Sequence, residues 1–395
     1  MNNKTIVYIG GFELPDKNAA AQRVINNSKL LRELGYYVTL IGIDKKLEKN
    51  QDILSSEKIY FNNETYALPY PKNTSDWVRY ISSVKPYLKV INKSQNVHSI
   101  ICYNLPALSL FLLLCYSRIK KIKIFSDCTE WYDTPKNAKF LFKFIKRLDV
   151  FFRMRVIQPR LNGVISISNF LYEYYTIKHT KTILIPPLVD ANELKWRKRD
   201  SENKDILHFI YAGSPFSLKS KESPKDRLDS ILKVFEIFKT EGRLFKLSIV
   251  GINSDDLLYA LPELDNTLNI LAESVIFHGI LPHVKTIKLL CESDFSIFIR
   301  DKSLVTSAGF PTKFVESITC GIPVLTNQSS NISDFLVEGK NGFWIENSNQ
   351  DSIYRTLQQA FMITHEQLTA MKVFCFESKL FDYRKYLNSF QSFLD

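Results

Sequence analysis

The chain lacks any hydrophobic run long enough to cross a bilayer. Its most apolar stretch, Leu105 to Cys115, is about eleven residues and contains Pro106, where a span needs roughly 20. It reads instead as a buried helix of an α/β domain. Cysteines are few: Cys102, Cys115, Cys128, Cys291, Cys320 and Cys375, with no C-x-x-C pair. That argues against a zinc ribbon or a disulfide framework and for reduced thiols in a cytoplasmic protein. The six histidines form no H-E-x-x-H, and His278 and His283 have no carboxylate cluster beside them, so no metal is expected. The dinucleotide fingerprint G-x-G-x-x-G is absent, which weighs against a nicotinamide dehydrogenase. No secretory leader is recognisable in MNNKTIVYIGG, which runs directly into a strand and a glycine turn.

What is there is a 395-residue chain with 45% hydrophobic residues, enough for two or three folded domains. Its net charge of +11 is uneven. Residues 1–200 hold 32 Lys+Arg against 17 Asp+Glu, and the remainder holds 20 against 24. The first half therefore suits an anionic partner: a membrane surface, a lipid pyrophosphate or nucleic acid. Nucleic acid is the least favoured, because no binding motif accompanies the charge.

Strands and helices alternate along most of the chain. Thr5 to Ile9 reads as a strand ended by Gly10-Gly11. A helix from Ala19 closed by Gly35 follows, then a strand from Val38 to Ile43. Such βαβ units predict a parallel sheet. Lys45 to Asn73 has no clear assignment. Trp77 to Ile91 reads as one helix. A strand at Lys123 to Ser126 ends on DCTEWYD, and carboxylates beyond a strand's carboxyl end sit where open sheets bind ligands. Asp127 and Glu130 are therefore candidates to position an acceptor hydroxyl or take its proton. Helix capping or a salt bridge is the structural alternative.

Lys136 to Arg160 combines phenylalanines near helical spacing with charge from Lys139, Lys143, Lys146, Arg147, Arg153 and Arg155. It lies on an anionic membrane, or its apolar face covers its own sheet, or both hold along one helix. The charged run Glu193 to Lys204 marks a boundary. The expected division is an N-terminal Rossmann-like domain over 1–190, a linker over 191–204, a nucleotide-binding domain over 205–375 and a C-terminal helix over 376–395 crossing back to the first domain.

The stretch from Ser293 to Asn327 carries the sharpest signal. A strand from Phe295 ends near Arg300, Pro311 opens a helix containing Glu316, and Gly321 stops it before Pro323-Val324-Leu325. Helix N-termini beyond such strands attract phosphate. Ala308 to Ser317, AGFPTKFVES, resembles the signature of the retaining glycosyltransferases of family 4, in the variant of bacterial polysaccharide-forming enzymes. Gly309, Phe310, Glu316, Gly321, Pro323 and Val324 carry the match. The resemblance extends to Gly213, Lys225 and Asp226, to the I-L-I-P-P-L-V-D run ending at Asp190, and to Glu338 through Gly342.

The resemblance implies the α/β GT-B fold: two facing Rossmann-like domains with parallel sheets and a cleft between them. It implies retention-type transfer of a sugar, hexosyl in type, from a nucleoside-diphosphate sugar to a saccharide or lipid-linked saccharide hydroxyl, in capsule, exopolysaccharide or O-antigen synthesis. The enzyme would be cytoplasmic or peripheral on the inner membrane face. It implies donor contacts from Gly10, Gly11, Gly213, Ser214, Lys225, Arg300, Gly309, Phe310, Thr312, Lys313 and Glu316. Glu316 would hold the ribose. Lys225 and Arg300 would act with Asp127 or Glu130 in the reaction, because a pyrophosphate leaving group needs fixed positive charge. No cofactor or metal is implied beyond the donor. Two positions depart from the pattern. Ser214 stands where an arginine is usual. Ala308 stands where a first glutamate holds the donor sugar, so a deoxy or amino sugar donor, or an inactive scaffold protein, are the readings it opens. A sugar-nucleotide epimerase is a weaker third.

Overall fold

The computed structural model describes residues 4–15, 17–49, 51–131, 140–197, 206–215 and 226–395. The chain divides into two compact units. One comprises Met1–Asp190 with Asp382–Asp395, and the other Ala191–Phe381.

The first unit is built on an eight-stranded sheet in the order β3-β4-β2-β1-β5-β6-β7-β8. The strands are β1 (Thr5–Gly10), β2 (Tyr37–Asp44), β3 (Lys58–Tyr60), β4 (Asn63–Pro69), β5 (Val97–Tyr103), β6 (Lys123–Cys128), β7 (Gly163–Ser166) and β8 (Thr182–Leu184). All neighbours run parallel except β3 and β4, which form an antiparallel edge hairpin. Its two-residue turn, Phe61-Asn62, places both residues at positive φ (51° and 59°), the backbone of a hairpin turn that matches strand twist. This hairpin fills the stretch that the sequence left unassigned.

Helix α1 (Ala19–Glu33) starts where the Asn18 side chain accepts the Ala21 N–H at 2.8 Å. The single helix expected over Trp77 to Ile91 is two, α2 (Thr74–Ser82) and α3 (Lys85–Lys93). Pro86 lacks the N–H that continuation would require and sits instead in the first turn of α3. Helix α4 (Ala107–Lys120) was expected to be buried; only one face is, through Leu110, Leu113 and Leu114. Helix α5 (Phe140–Phe151) passes into a π-helical turn, Phe152–Ile157. The C-terminal Leu387–Leu394 helix packs in this unit, with Phe393 5.1 Å from Phe125 between ring centroids. Gly163 lets it approach, since a Cβ there would meet the Phe393 ring at 2.7 Å.

The second unit holds a six-stranded sheet in the order β11-β10-β9-β12-β13-β14, parallel throughout. Its strands are β9 (Leu207–Ala212), β10 (Phe245–Val250), β11 (Val275–Gly279), β12 (Phe295–Phe298), β13 (Val324–Thr326) and β14 (Gly342–Trp344). Buried phenylalanines form much of its core, with Phe209 stacked on Phe295 at 5.8 Å and Phe235 against Phe245 at 4.8 Å. In each sheet the strand order reverses once at the centre, between β1 and β5 and between β9 and β12. Those switch points are where open α/β sheets receive ligands.

Candidate functional site

In the second unit, the switch point lies between the end of β9 and the end of β12. Gly213 follows β9 with φ +151°, a conformation that side chains rarely adopt. Arg300 follows β12. Its backbone is fixed from both sides by one residue: Asn327 Oδ1 accepts the Arg300 N–H at 2.9 Å, and Asn327 Nδ2 donates to the Arg300 carbonyl at 2.8 Å. Arg300 also forms an antiparallel bridge with Asp226.

The Thr312–Thr319 helix brings in the remaining groups. Pro311 precedes its first turn and Gly321 (φ +78°) lies just beyond its end, as the sequence indicated. Lys313 and Glu316 are three apart and share a face. Lys313 Nζ reaches back over Gly213. It donates to Tyr211 Oη at 3.0 Å and to Asp226 Oδ2, and lies 4.2 Å from the Tyr211 ring centroid. Tyr211 Oη donates to the same carboxylate oxygen at 2.7 Å. Arg300 Nε stands 3.5 Å from Asp226 Oδ1 and is buried with no hydrogen-bond partner among the described residues. Asp226 is thus a buried anion between two cations. Burial draws the Lys313 pKa below its ordinary value, although Asp226 opposes the shift. Burial and then Asp226 push Tyr211 far up, which keeps it a neutral donor.

One turn along the same helix, Glu316 Oε1 lies 3.1 Å from His283 Nε2. His283 begins the His283–Cys291 helix, and the Trp196 ring meets it edge-on at 6.5 Å. Both side chains of the pair remain about one fifth exposed (21% and 22%), so the carboxylate is held and still reachable. The site therefore has a cationic station at Lys313 and Arg300, and an anionic station at Glu316.

The other expected residues fall in different settings. Thr312 is the first residue of the helix and Ser214 is exposed beyond Gly213. Gly309 caps the short Leu304–Ala308 helix. Phe310 is buried. Its ring is buried against Phe314, Phe335 and Phe381, at 6.4, 5.6 and 6.0 Å, and so packs the site from behind. Ala308 is fully buried. Lys225 lies outside the described residues.

The candidates of the first unit divide similarly. Gly10 ends β1 against β5, and a Cβ on it would strike Tyr103 at 2.6 Å, so it serves close strand packing. Gly11 is exposed, and a Cβ on it would reach Tyr80 Oη at 3.5 Å, an ordinary contact. Glu130 is exposed. Asp127 corrects the sequence reading. It is wholly buried and held by Arg23, whose Nη2 donates to Oδ1 at 2.7 Å and whose Nε donates to Oδ2 at 2.9 Å. Tyr8 Oη donates to Oδ2 at 2.5 Å. Arg23 spends its remaining donors on the Ile185 and Pro186 carbonyls, at 3.0 and 3.2 Å. Burial works to lower the Arg23 pKa, and Asp127 outweighs it, for a net rise. This carboxylate ties β6 to α1 and, through Arg23, to the segment after β8.

Sequence reasoning missed His283, Asn327, Tyr211 and the counter-ion role of Asp226. His283 was weighed only as a metal ligand. Asn327 and Tyr211 carry no local motif, because their partners lie on other strands.

Residues 214–371 match the family model described as "Glycosyl transferases group 1". No curated protein matches the chain in sequence. Among solved structures, the chain is similar to HepE from Anabaena in complex with UDP and glucose, at 12% identity over 99% of each chain with a TM-score of 0.65. It is similar to the sucrose-phosphate synthase of Thermosynechococcus elongatus, at 13% identity over 99% of this chain and 98% of that one, TM-score 0.69. It is also similar to the catalytic domain of starch synthase IV from Arabidopsis thaliana bound to ADP and acarbose, at 11% identity over 100% and 99%, TM-score 0.70. At these identities the likeness establishes the fold, which is GT-B. The family match lies within the second unit.

Proposed function

We propose that the chain is a retaining glycosyltransferase of the family 4 kind, moving a hexose-type sugar from a nucleoside-diphosphate sugar to a saccharide or lipid-linked saccharide hydroxyl in bacterial surface-polysaccharide synthesis. The observation that carries this reading is the pair Lys313 and Glu316 on one helix face at the switch point, a cation for phosphate one turn from a carboxylate for a diol. In this reading the donor's diphosphate lies against Lys313 and Arg300. Glu316, oriented by His283, accepts hydrogen bonds from the ribose hydroxyls. Gly213, without a side chain, leaves the room in which Lys313 stands, and Thr312 and Ser214 supply hydroxyls near it. Lys225 belongs to the same phosphate station by its place in the motif.

The sugar's anomeric carbon separates from the departing phosphate oxygen, and the acceptor oxygen bonds to that carbon on the same face. The acceptor's proton passes to the departing phosphate. Lys313 and Arg300 favour this step because fixed charge offsets what develops on the leaving group. Such a route uses no paired carboxylates and no metal. Glu130, exposed beyond β6, is the carboxylate we assign to the acceptor side in place of Asp127.

A scaffold reading stands beside this one on a single observation: Ala308 is buried where the family pattern has a carboxylate. The experiment is a thermal-shift panel of UDP, GDP, dTDP, CMP and NAD on the protein and on Glu316→Ala, followed by donor hydrolysis. Ligands that bind the folded state raise its melting temperature. A shift with one diphosphate, weakened by the substitution, with hydrolysis that disappears alongside it, supports transfer. No shift with any nucleotide supports the scaffold.

A further inference from the structure

Two adjoining helices of the first unit leave apolar stripes in solvent. On α5, Phe140 is 85% exposed, Phe144 52%, Ile145 54% and Phe151 46%. On α4, Leu108 is 45% exposed, Phe111 48% and Ile119 78%, on the face opposite the buried leucines. An amphipathic helix normally turns such a stripe to its own core. Exposed apolar stripes of this kind mark an interaction site.

The two helices are joined at the start of α4. Pro106 gives α4 no side-chain cap, and Asp149 of α5 does so instead, its Oδ1 accepting the Ala107 N–H at 2.6 Å. Arg153, one turn further on, is buried and donates to the Leu105 carbonyl at 3.5 Å. The α4 stripe therefore begins at Leu108, beside the point where α5 is anchored.

Charge identifies the occupant. Apart from the buried Arg153, the cations from Phe140 to Arg160 are Lys143, Lys146, Arg147, Arg155 and Arg160, all at least partly exposed, and Asp149 is the only acid. The far end of α4 adds Arg118, Lys120 and Lys121, with no acid between Ala107 and Ser126. A second copy of the chain pairing through this face would bring like charges together. We propose that α4 and α5 form a docking face for an anionic lipid bilayer, with the aromatic and aliphatic side chains in the interfacial layer and the Lys and Arg side chains at the headgroups. This inference does not rest on the sugar-transfer reading, and its test uses no donor.

The test is co-sedimentation of the full chain with vesicles of phosphatidylglycerol and phosphatidylcholine, and of phosphatidylcholine alone. The protein is expected to pellet with the anionic vesicles at low salt and to bind the neutral ones at least about tenfold more weakly. Phe144→Ser/Phe151→Ser and Phe111→Ser/Ile119→Ser each lose that binding, with melting temperatures unchanged because the side chains are exposed. Lys146→Glu/Arg147→Glu lowers it by roughly tenfold or more. No binding to anionic vesicles, or binding that all three variants retain, overturns the proposal. So does a dimer in sedimentation velocity that the serine variants dissociate while vesicle binding persists. Loss in the α5 variants alone overturns the part assigned to α4.

Discussion

Gly213 and Lys313 occupy one space: a Cβ on the glycine would stand 2.2 Å from the lysine's Cε and 2.5 Å from its Nζ. Lys313 reaches Asp226 and Tyr211 only because β9 ends on a residue without a side chain. Gly213→Ala pushes the flexible end of Lys313 aside and forces alanine to φ +151°. The expected outcome is a loss of about 1–3 kcal/mol in stability with a disproportionate loss of nucleoside-diphosphate binding. Urea unfolding and a binding titration on the same variant measure both; full-strength binding would show that Lys313 does not contact the diphosphate.

The two stations of the helix predict separable defects. Lys313→Met removes a charge-assisted contact worth about 1.5–3 kcal/mol, so both UDP and inorganic pyrophosphate should bind roughly ten- to a hundredfold more weakly. Glu316→Ala should weaken UDP similarly and leave pyrophosphate unchanged, since the carboxylate serves the ribose end. His283→Ala should follow Glu316→Ala at smaller amplitude, because the imidazole acts by orienting the carboxylate. Calorimetric titration with both ligands gives the comparison. Equal loss of pyrophosphate binding in all three variants would contradict two stations.

Arg23 and Asp127 predict an instability that has no catalytic cause. Removing one partner of a buried ion pair strands the other charge, at a cost of about 3–5 kcal/mol. Arg23→Met should therefore be strongly destabilised, and Arg23→Met/Asp127→Leu should recover much of the loss. Urea unfolding of the two variants decides it. An Arg23→Met protein as stable as the parent, but inactive, would return Asp127 to the reacting groups.

Local pattern made most of this fold legible. The βαβ alternation, Pro311 and Gly321 around the site helix, and the glycine after β9 are events within a few residues of each other, where backbone preference decides. The β3–β4 hairpin was not legible, because Phe61-Asn62 takes a turn conformation usually marked by glycine. At the site, Glu316, Lys313 and Arg300 carried a motif. Their supports, Asn327, Tyr211 and His283, come from neighbouring elements distant in sequence, and only the parallel register brings them together. Asp127 stood at the right end of the right strand, yet α1 supplied an arginine that closed it off. The apolar run of α4 implied burial on every side, and nothing within that run marks Leu108, Phe111 and Ile119 as the face left in solvent.

His208 predicts how stability falls in acid. It lies on β9 with Nε2 2.8 Å from Ser248 Oγ, and His278 Nε2 approaches the same hydroxyl from β11 at 3.1 Å. Burial, with Lys246 nearby, lowers the His208 pKa from 6.5 to about 4. Between those values the unfolded chain binds a proton that the folded chain refuses. Stability is therefore complete above pH 6.5 and declines as pH falls toward 4. A shift of this size corresponds to about 3 kcal/mol at 1.36 kcal/mol per unit. His208→Gln keeps a hydrogen-bonding side chain and removes the titration, so its unfolding free energy should change less between neutral and mildly acid pH than the parent's. The difference in slope, from urea unfolding at several pH values, isolates this histidine from the carboxylates that titrate lower. Parallel slopes in the two proteins would mean that His208 takes up its proton in the folded state without breaking the contact to Ser248.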